Sequence, residues 1–191
     1  MFQRLKRDGV DLIMLQEVGP YMAQTYGRHA GVEMALIQAP YTFGTTWGSC
    51  ATGGAEIVSC APCHQFPESN LEKYNWRMFS KSIFRHAGLL ITVINSHTRA
   101  GGGSHDTADS FRIAVLMRCR QEVITSSSTS DIVIVAGDFN LLRPWKASTN
   151  QNVEAEMTIP GIQTFFKHSA PDRSLACFEF MFAAASTRIQ F

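Results

Sequence analysis

Residues 132–140 read IVIVAGDFN, an apolar run leading straight into Gly137, Asp138, Phe139 and Asn140. Such a run suits a strand buried on both faces, because no alternate position is left polar for solvent. Asp and Asn are good turn residues, so they end the strand and leave two polar side chains at its tip. Two other apolar runs end in the same way. Residues 10–16 (VDLIMLQ) lead into Glu17, and residues 89–95 (LLITVIN) lead through Ser96 to His97. Polar groups just beyond buried strands converge on one rim of a layered sheet, where such proteins build their sites.

Outward from these runs, residues 2–7 have the pattern of the last turns of a helix stopped by Gly9. Pro20 suits the first turn of a helix over residues 21–38, which Pro40 closes. Residues 41–54, rich in Gly, Thr and aromatics, read as loop or short edge strands, and residues 56–60 and 78–84 as short strands. Residues 109–124 carry Phe111, Val115, Leu116 and Cys119 along one face, which predicts an amphipathic helix. The Ser/Thr run 125–130 reads as a loop, and residues 177–183 (CFEFMFA) as a closing strand. Strands separated by helices predict an α/β (α+β) layered domain. At 191 residues the chain is sized for a single domain, 1–191.

The chain is 45% hydrophobic and 17% charged, with a net charge of +1. No broad field therefore draws nucleic acid or an anionic membrane, although a bound cation can neutralise phosphate where lysines do not. No apolar run approaches the ~20 residues that cross a bilayer, and the opening MFQRLKRDG lacks the apolar stretch of an export signal. The expected setting is the cytoplasm or nucleus. Five cysteines without a regular framework read as reduced thiols. Cys60-Ala-Pro-Cys63-His64 fits the spacing of c-type haem attachment and of a dithiol pair. It falls on the turn expected after residues 53–59, with no export signal, so plain residues are the expectation. Gly101–Gly103 lack the Lys-Ser/Thr of a phosphate loop and read as a surface connection.

Glu17, His97, Asp138 and Asn140 together form a set suited to metal-assisted phosphate chemistry. Hard carboxylate oxygens suit Mg²⁺, with Mn²⁺ as a substitute, because that ion keeps few protein ligands and several waters. A cation stabilises charge developing on phosphate, and His97 can bind or protonate a phosphate oxygen.

The order LQE, NSHT, GDFN resembles the endonuclease/exonuclease/phosphatase superfamily, the deoxyribonuclease I-like fold. GGAEIVS at 53–59 is similar to the family's small-residue strand before a Ser-Arg-Pro turn, with Cys60 in the place of Arg. Arg77 and Arg112 stand where many members carry arginines, and are read as ion-pair or surface residues. Residues 175–186 resemble the family's late strand, with Glu179 at its acidic position. The resemblance implies a two-sheet β sandwich with helices on the outer faces. It implies Glu17 as principal Mg²⁺ ligand, and Asp138 as the residue that orients or activates the attacking water and shares the metal. It also implies that Asn140 and His97 contact the scissile phosphate. The implied partner is a phosphate ester (nucleic acid, phospholipid or inositol phosphate) and the implied state a monomer.

Two departures accompany the match. The family's opening strand with its Asn has no counterpart before Met1, and Ser-Asp-His does not occur. His168, the only histidine after GDFN, precedes the closing strand and does not replace it. General acid–base help is worth ~10²–10⁴ in rate, so the expectation is a domain incomplete at both ends, poorly soluble and with little turnover. The alternative is a catalytically dead fragment that keeps metal or phosphate binding.

Overall fold

The computed structural model describes residues 1–38, 46–63, 79–97, 105–138, 163–169 and 179–185. The order of elements is α1 (Phe2–Arg7), β1 (Leu12–Val18), α2 (Pro20–His29), β2 (Glu33–Gln38), β3 (Thr46–Ala51), β4 (Ala55–Cys63), β5 (Phe79–His86), β6 (Leu89–His97), α3 (His105–Ser126), β7 (Ile132–Asp138), β8 (Gln163–Ser169) and β9 (Glu179–Ala185). Among the described residues the strands form two sheets, a three-stranded one ordered β1-β3-β2 and a six-stranded one ordered β4-β5-β6-β7-β9-β8.

The two faces of β1 explain why its sequence is apolar throughout. Ile13 and Leu15 pack with Phe2, Leu5, Ala30 and Val32 of the helical layer. Leu12 and Met14 point the other way, into a core with Ala51 of β3 and with Phe84, Ile91 and Val93 of the facing sheet. A strand covered by helices on one side and by a second sheet on the other has no solvent face. The layered sandwich expected from the sequence is therefore the architecture found.

On the far side of the larger sheet, Val115, Cys119 and Val123 of α3 are fully buried. An ion-pair relay holds that helix in place: Glu122 meets Lys81 of β5 at 3.3 Å and Arg118 of its own helix at 3.1 Å. Among the described residues no helix is long and apolar enough to cross a membrane.

Several elements differ from expectation. Residues 21–38 are not one helix: α2 ends at His29, Gly31 adopts φ 62, and Glu33–Gln38 becomes β2. Within 41–54, residues 46–51 form β3, the central strand of its sheet rather than an edge. Its small residues explain both its weak strand signal and its place. A Cβ on Gly48 would stand 2.2 Å from the Ala35 carbonyl oxygen, so only glycine admits β2 at this distance.

β4 runs on through Cys63, so Cys60 and Cys63 lie along a strand instead of on the expected turn. Three residues of strand separate Cα atoms by ~10 Å, beyond the reach of a disulfide. Pro62 is accommodated because β4 is an edge strand among the described residues. β6 and β7 each run two residues longer than expected, making His97 and Asp138 terminal strand residues rather than residues beyond the strands. The long helix covers His105–Ser126 and absorbs the start of the Ser/Thr run, and the closing strand is Glu179–Ala185. Arg77, His64, Gly101–Gly103 and Asn140 lie outside the described residues, as do the side chains of Phe111, Arg112 and Leu116.

Candidate active site

The site is built where β1 departs from regular alternation. Strict alternation would send Glu17 toward the helical layer with Ile13 and Leu15. Instead the β1–β3 register shifts between Leu15 and Val18, and Glu17 adopts φ 51. This bulge lets Leu15 and Val18 both pack on the helical layer, while Gln16 and Glu17 both reach the six-stranded sheet. Bulges commonly re-aim a side chain beside a site. A left-handed φ on a glutamate costs about 1–2 kcal/mol and persists only where its surroundings impose it.

Glu17 Oε1 stands 3.6 Å from His97 Nε2. The imidazole is nearly enclosed, with 9% of its side chain exposed, whereas the carboxylate is 59% exposed. Glu17 therefore presents much of its carboxylate to solvent, while His97 lies mostly within the core.

Asn95, two residues before His97, is completely buried. Its Nδ2 donates to the Leu15 carbonyl at 3.0 Å and to the Gly48 carbonyl at 2.6 Å, and its Oδ1 accepts from Gln16 Nε2. Two carbonyls can only accept, which fixes the orientation of the amide. Leu15 and Gly48 are register partners at the edge of the bulge, so one side chain of the larger sheet grips two of the three strands of the smaller one, β1 and β3. In the sequence Asn95 stands as the end of an apolar run and the first residue of NSHT, with no role of its own assigned. Its parity with Ile91 and Val93, which face the other sheet, was the available signal.

β6 and β7 run parallel, and their register pairs His97 with Asp138 and Ser96 with Gly137. Gly137 has φ 144, and a Cβ there would lie 1.9 Å from the Ser96 carbonyl oxygen. The glycine of GDFN is thus the residue that lets the two strand ends close together. On the other side of β7, Asp138 is the register partner of Glu179 in β9. His97, Asp138 and Glu179 consequently stand in one row across three strands, with Glu17 reaching in from the facing sheet. Glu179 was expected at an acidic position of the late strand but not as part of the site. The Asp138 and Glu179 side chains, and all of Asn140, lie outside the described residues.

Among the described residues no group of three His, Cys, Asp or Glu side chains is placed to hold a metal ion. The donor chemistry itself, a solvent-open carboxylate beside a second acidic position, fits a cation that keeps most of its water shell. A cavity of about 380 Å³, lined by Met1, Phe2, Gln3, Val18, Tyr26 and His29, lies on the helical side of β1, away from the face where Glu17 meets His97.

No protein-family model matches the sequence, and no curated protein matches it. Solved structures do match. The human Nocturnin catalytic domain with bound sulfate aligns over 95% of this chain and 72% of its own, at TM-score 0.69 and 14% identity. ANGEL2, a 2′,3′-cyclic phosphatase in complex with adenosine-2′,3′-vanadate, aligns over 96% and 72%, at TM-score 0.67 and 13% identity. D. rerio TDP2, complexed with single-strand DNA product, aligns over 98% and 76%, at TM-score 0.65 and 16% identity. The chain has the deoxyribonuclease I-like fold of these proteins, as its sequence motifs implied.

Proposed function

We propose that the chain is a metal-dependent phosphoesterase of the endonuclease/exonuclease/phosphatase type, working at the rim where β1, β6 and β7 end. The observation that carries this reading is the approach of Glu17 to His97, whose register partner is Asp138. Three polar positions distant in sequence come together at one edge of the core, and such clusters of titratable groups are candidates for a functional site.

In this reading Glu17 and Asp138 hold the cation, Mg²⁺ or Mn²⁺, which supplies charge stabilisation to the phosphate in the transition state. Asp138 orients the attacking water and takes its proton as the water oxygen bonds to phosphorus. The bond from phosphorus to the ester oxygen breaks, and that oxygen leaves and takes a proton from solvent water. His97 donates a hydrogen bond to a non-bridging phosphate oxygen, and Glu17 keeps the imidazole turned toward it. Asn140 hydrogen-bonds the same phosphate. Two of the similar structures hold nucleotide-type ligands, which favours a nucleotidyl ester over a phospholipid or inositol phosphate. The proposed setting is the cytoplasm or nucleus, and the proposed state a monomer.

The sequence contains no Ser-Asp-His, and this favours a second reading, in which these 191 residues bind metal and phosphate without efficient turnover. One experiment addresses both. Purified chain is assayed with Mg²⁺ against phosphodiester and phosphomonoester nucleotides. The first reading predicts hydrolysis that EDTA abolishes and that Asp138→Asn lowers by about 10²-fold or more. Metal-dependent phosphate binding without product supports the second. Turnover indifferent to both EDTA and Asp138→Asn contradicts both.

A further inference from the structure

The bulge that carries Glu17 does not hold itself. A glutamate at φ 51 is strained, and the shifted register interrupts the regular β1–β3 pairing at Leu15. Nothing in β1 itself favours that conformation, since the sequence LIMLQEV has no glycine or asparagine to adopt it. Among the described residues, compensating contacts come from the other sheet. Asn95 supplies both amide hydrogens to the carbonyls of Leu15 and Gly48, and its oxygen takes a hydrogen from Gln16, the residue before Glu17. The amide is fully buried, so these bonds form in a low-dielectric setting where an unmet carbonyl is costly. Asn95 also belongs to the strand that ends in His97.

We propose that Asn95 is a positioning residue: it pins the β1 bulge across the two sheets and so sets the Glu17 carboxylate against His97. The proposal rests on the phosphoesterase reading only for its consequence on metal; the pinning is a statement about Glu17 itself. Removing the amide lets β1 relax toward regular alternation, which swings Glu17 toward the helical layer and away from the rim. A residue that orients a ligand without touching the ion typically changes metal affinity by about 10–100-fold.

The test uses the full chain and two readouts that do not depend on turnover. The first is the intraresidue amide-to-Hα nuclear Overhauser effect of Glu17, which is strong for a left-handed φ and weak for an extended one. The second is Mn²⁺ affinity. Thr92→Val serves as control: Thr92 lies in the same strand and its buried hydroxyl bonds Ser130 at 2.7 Å, so its loss destabilises β6 away from the bulge. Gln16→Met is the milder variant, loosening Asn95 without emptying its site, in case Asn95→Ala folds poorly.

Expected are a strong Glu17 signal in wild type and Thr92→Val, its loss in Asn95→Ala, and its weakening in Gln16→Met. Mn²⁺ affinity should fall about 10-fold or more in Asn95→Ala and several-fold in Gln16→Met. It should not change in Thr92→Val. A left-handed Glu17 signal that survives both Asn95→Ala and Gln16→Met overturns the proposal, as does an equal affinity loss in Thr92→Val. If wild type binds no Mn²⁺ yet loses the signal on Asn95→Ala, the pin stands and the phosphoesterase reading fails.

Discussion

The Glu17 carboxylate reaches within 3.6 Å of the His97 imidazole from a strand position that regular alternation would turn toward the opposite face. The contact joins the two sheets of the sandwich at one edge and depends on a local distortion rather than on the general packing. The distortion sets stability and chemistry against each other, and that opposition is measurable.

Glu17→Gly should make this visible. Glycine adopts φ 51 without the steric cost a glutamate bears, so the variant should gain about 1 kcal/mol in denaturant unfolding. Metal-dependent phosphate binding should be lost with the carboxylate. Glu17→Gln keeps the strain, and should lose metal while leaving stability within about 0.5 kcal/mol of wild type. A Glu17→Gly variant that is less stable than Glu17→Gln would contradict the strain argument.

Gly137→Ala tests the closure of β6 on β7. The added methyl would meet the Ser96 carbonyl at 1.9 Å, which is backbone and cannot rotate aside, and φ 144 disfavours any side chain. The expected cost is on the order of 2–3 kcal/mol, read as a lower denaturant midpoint, with the loss of the His97–Asp138 pairing. A midpoint equal to wild type would show that the strand ends are not packed as described.

The thiols provide a check on burial that is independent of the site. Cys50 is fully enclosed, and desolvation pushes its thiol pKa up to about 12. Below that value it stays a neutral thiol, so it should resist alkylation at pH 8 in the folded chain and react only on unfolding. Cys119 is equally enclosed, whereas Cys60 is exposed and should label before either of them. Peptide mapping after brief alkylation reads the order directly. Early labelling of Cys50 would place β3 at the surface instead of in the centre of its sheet.

The sequence was most legible where burial on both faces demanded it. The runs in β1, β6 and β7 have no polar alternation, and all three are strands whose ends carry Glu17, His97 and Asp138. β2 was misread as helix because Glu33, Met34, Ala35, Leu36 and Gln38 all favour helices, and sheet pairing with β3 overrides that preference. β3 was misread as loop because Gly48, Ser49, Cys50 and Ala51 serve close approach between strands, a demand no local propensity records. The bulge at Glu17 and its anchor at Asn95 are 78 residues apart in sequence and meet only through the stacking of two sheets. No local pattern announces such a pair. Asn140 was read as part of the site, and its position lies outside the described residues.

Whether Glu17 and the acidic end of β7 share a cation can be read from the anomalous difference density of a crystal grown with Mn²⁺. A peak is expected about 2.1 Å from a Glu17 carboxylate oxygen, on the Asp138 side of His97, and none in Glu17→Gln. Manganese bound elsewhere, or absent while Glu17 still rests against His97, would contradict a shared cation.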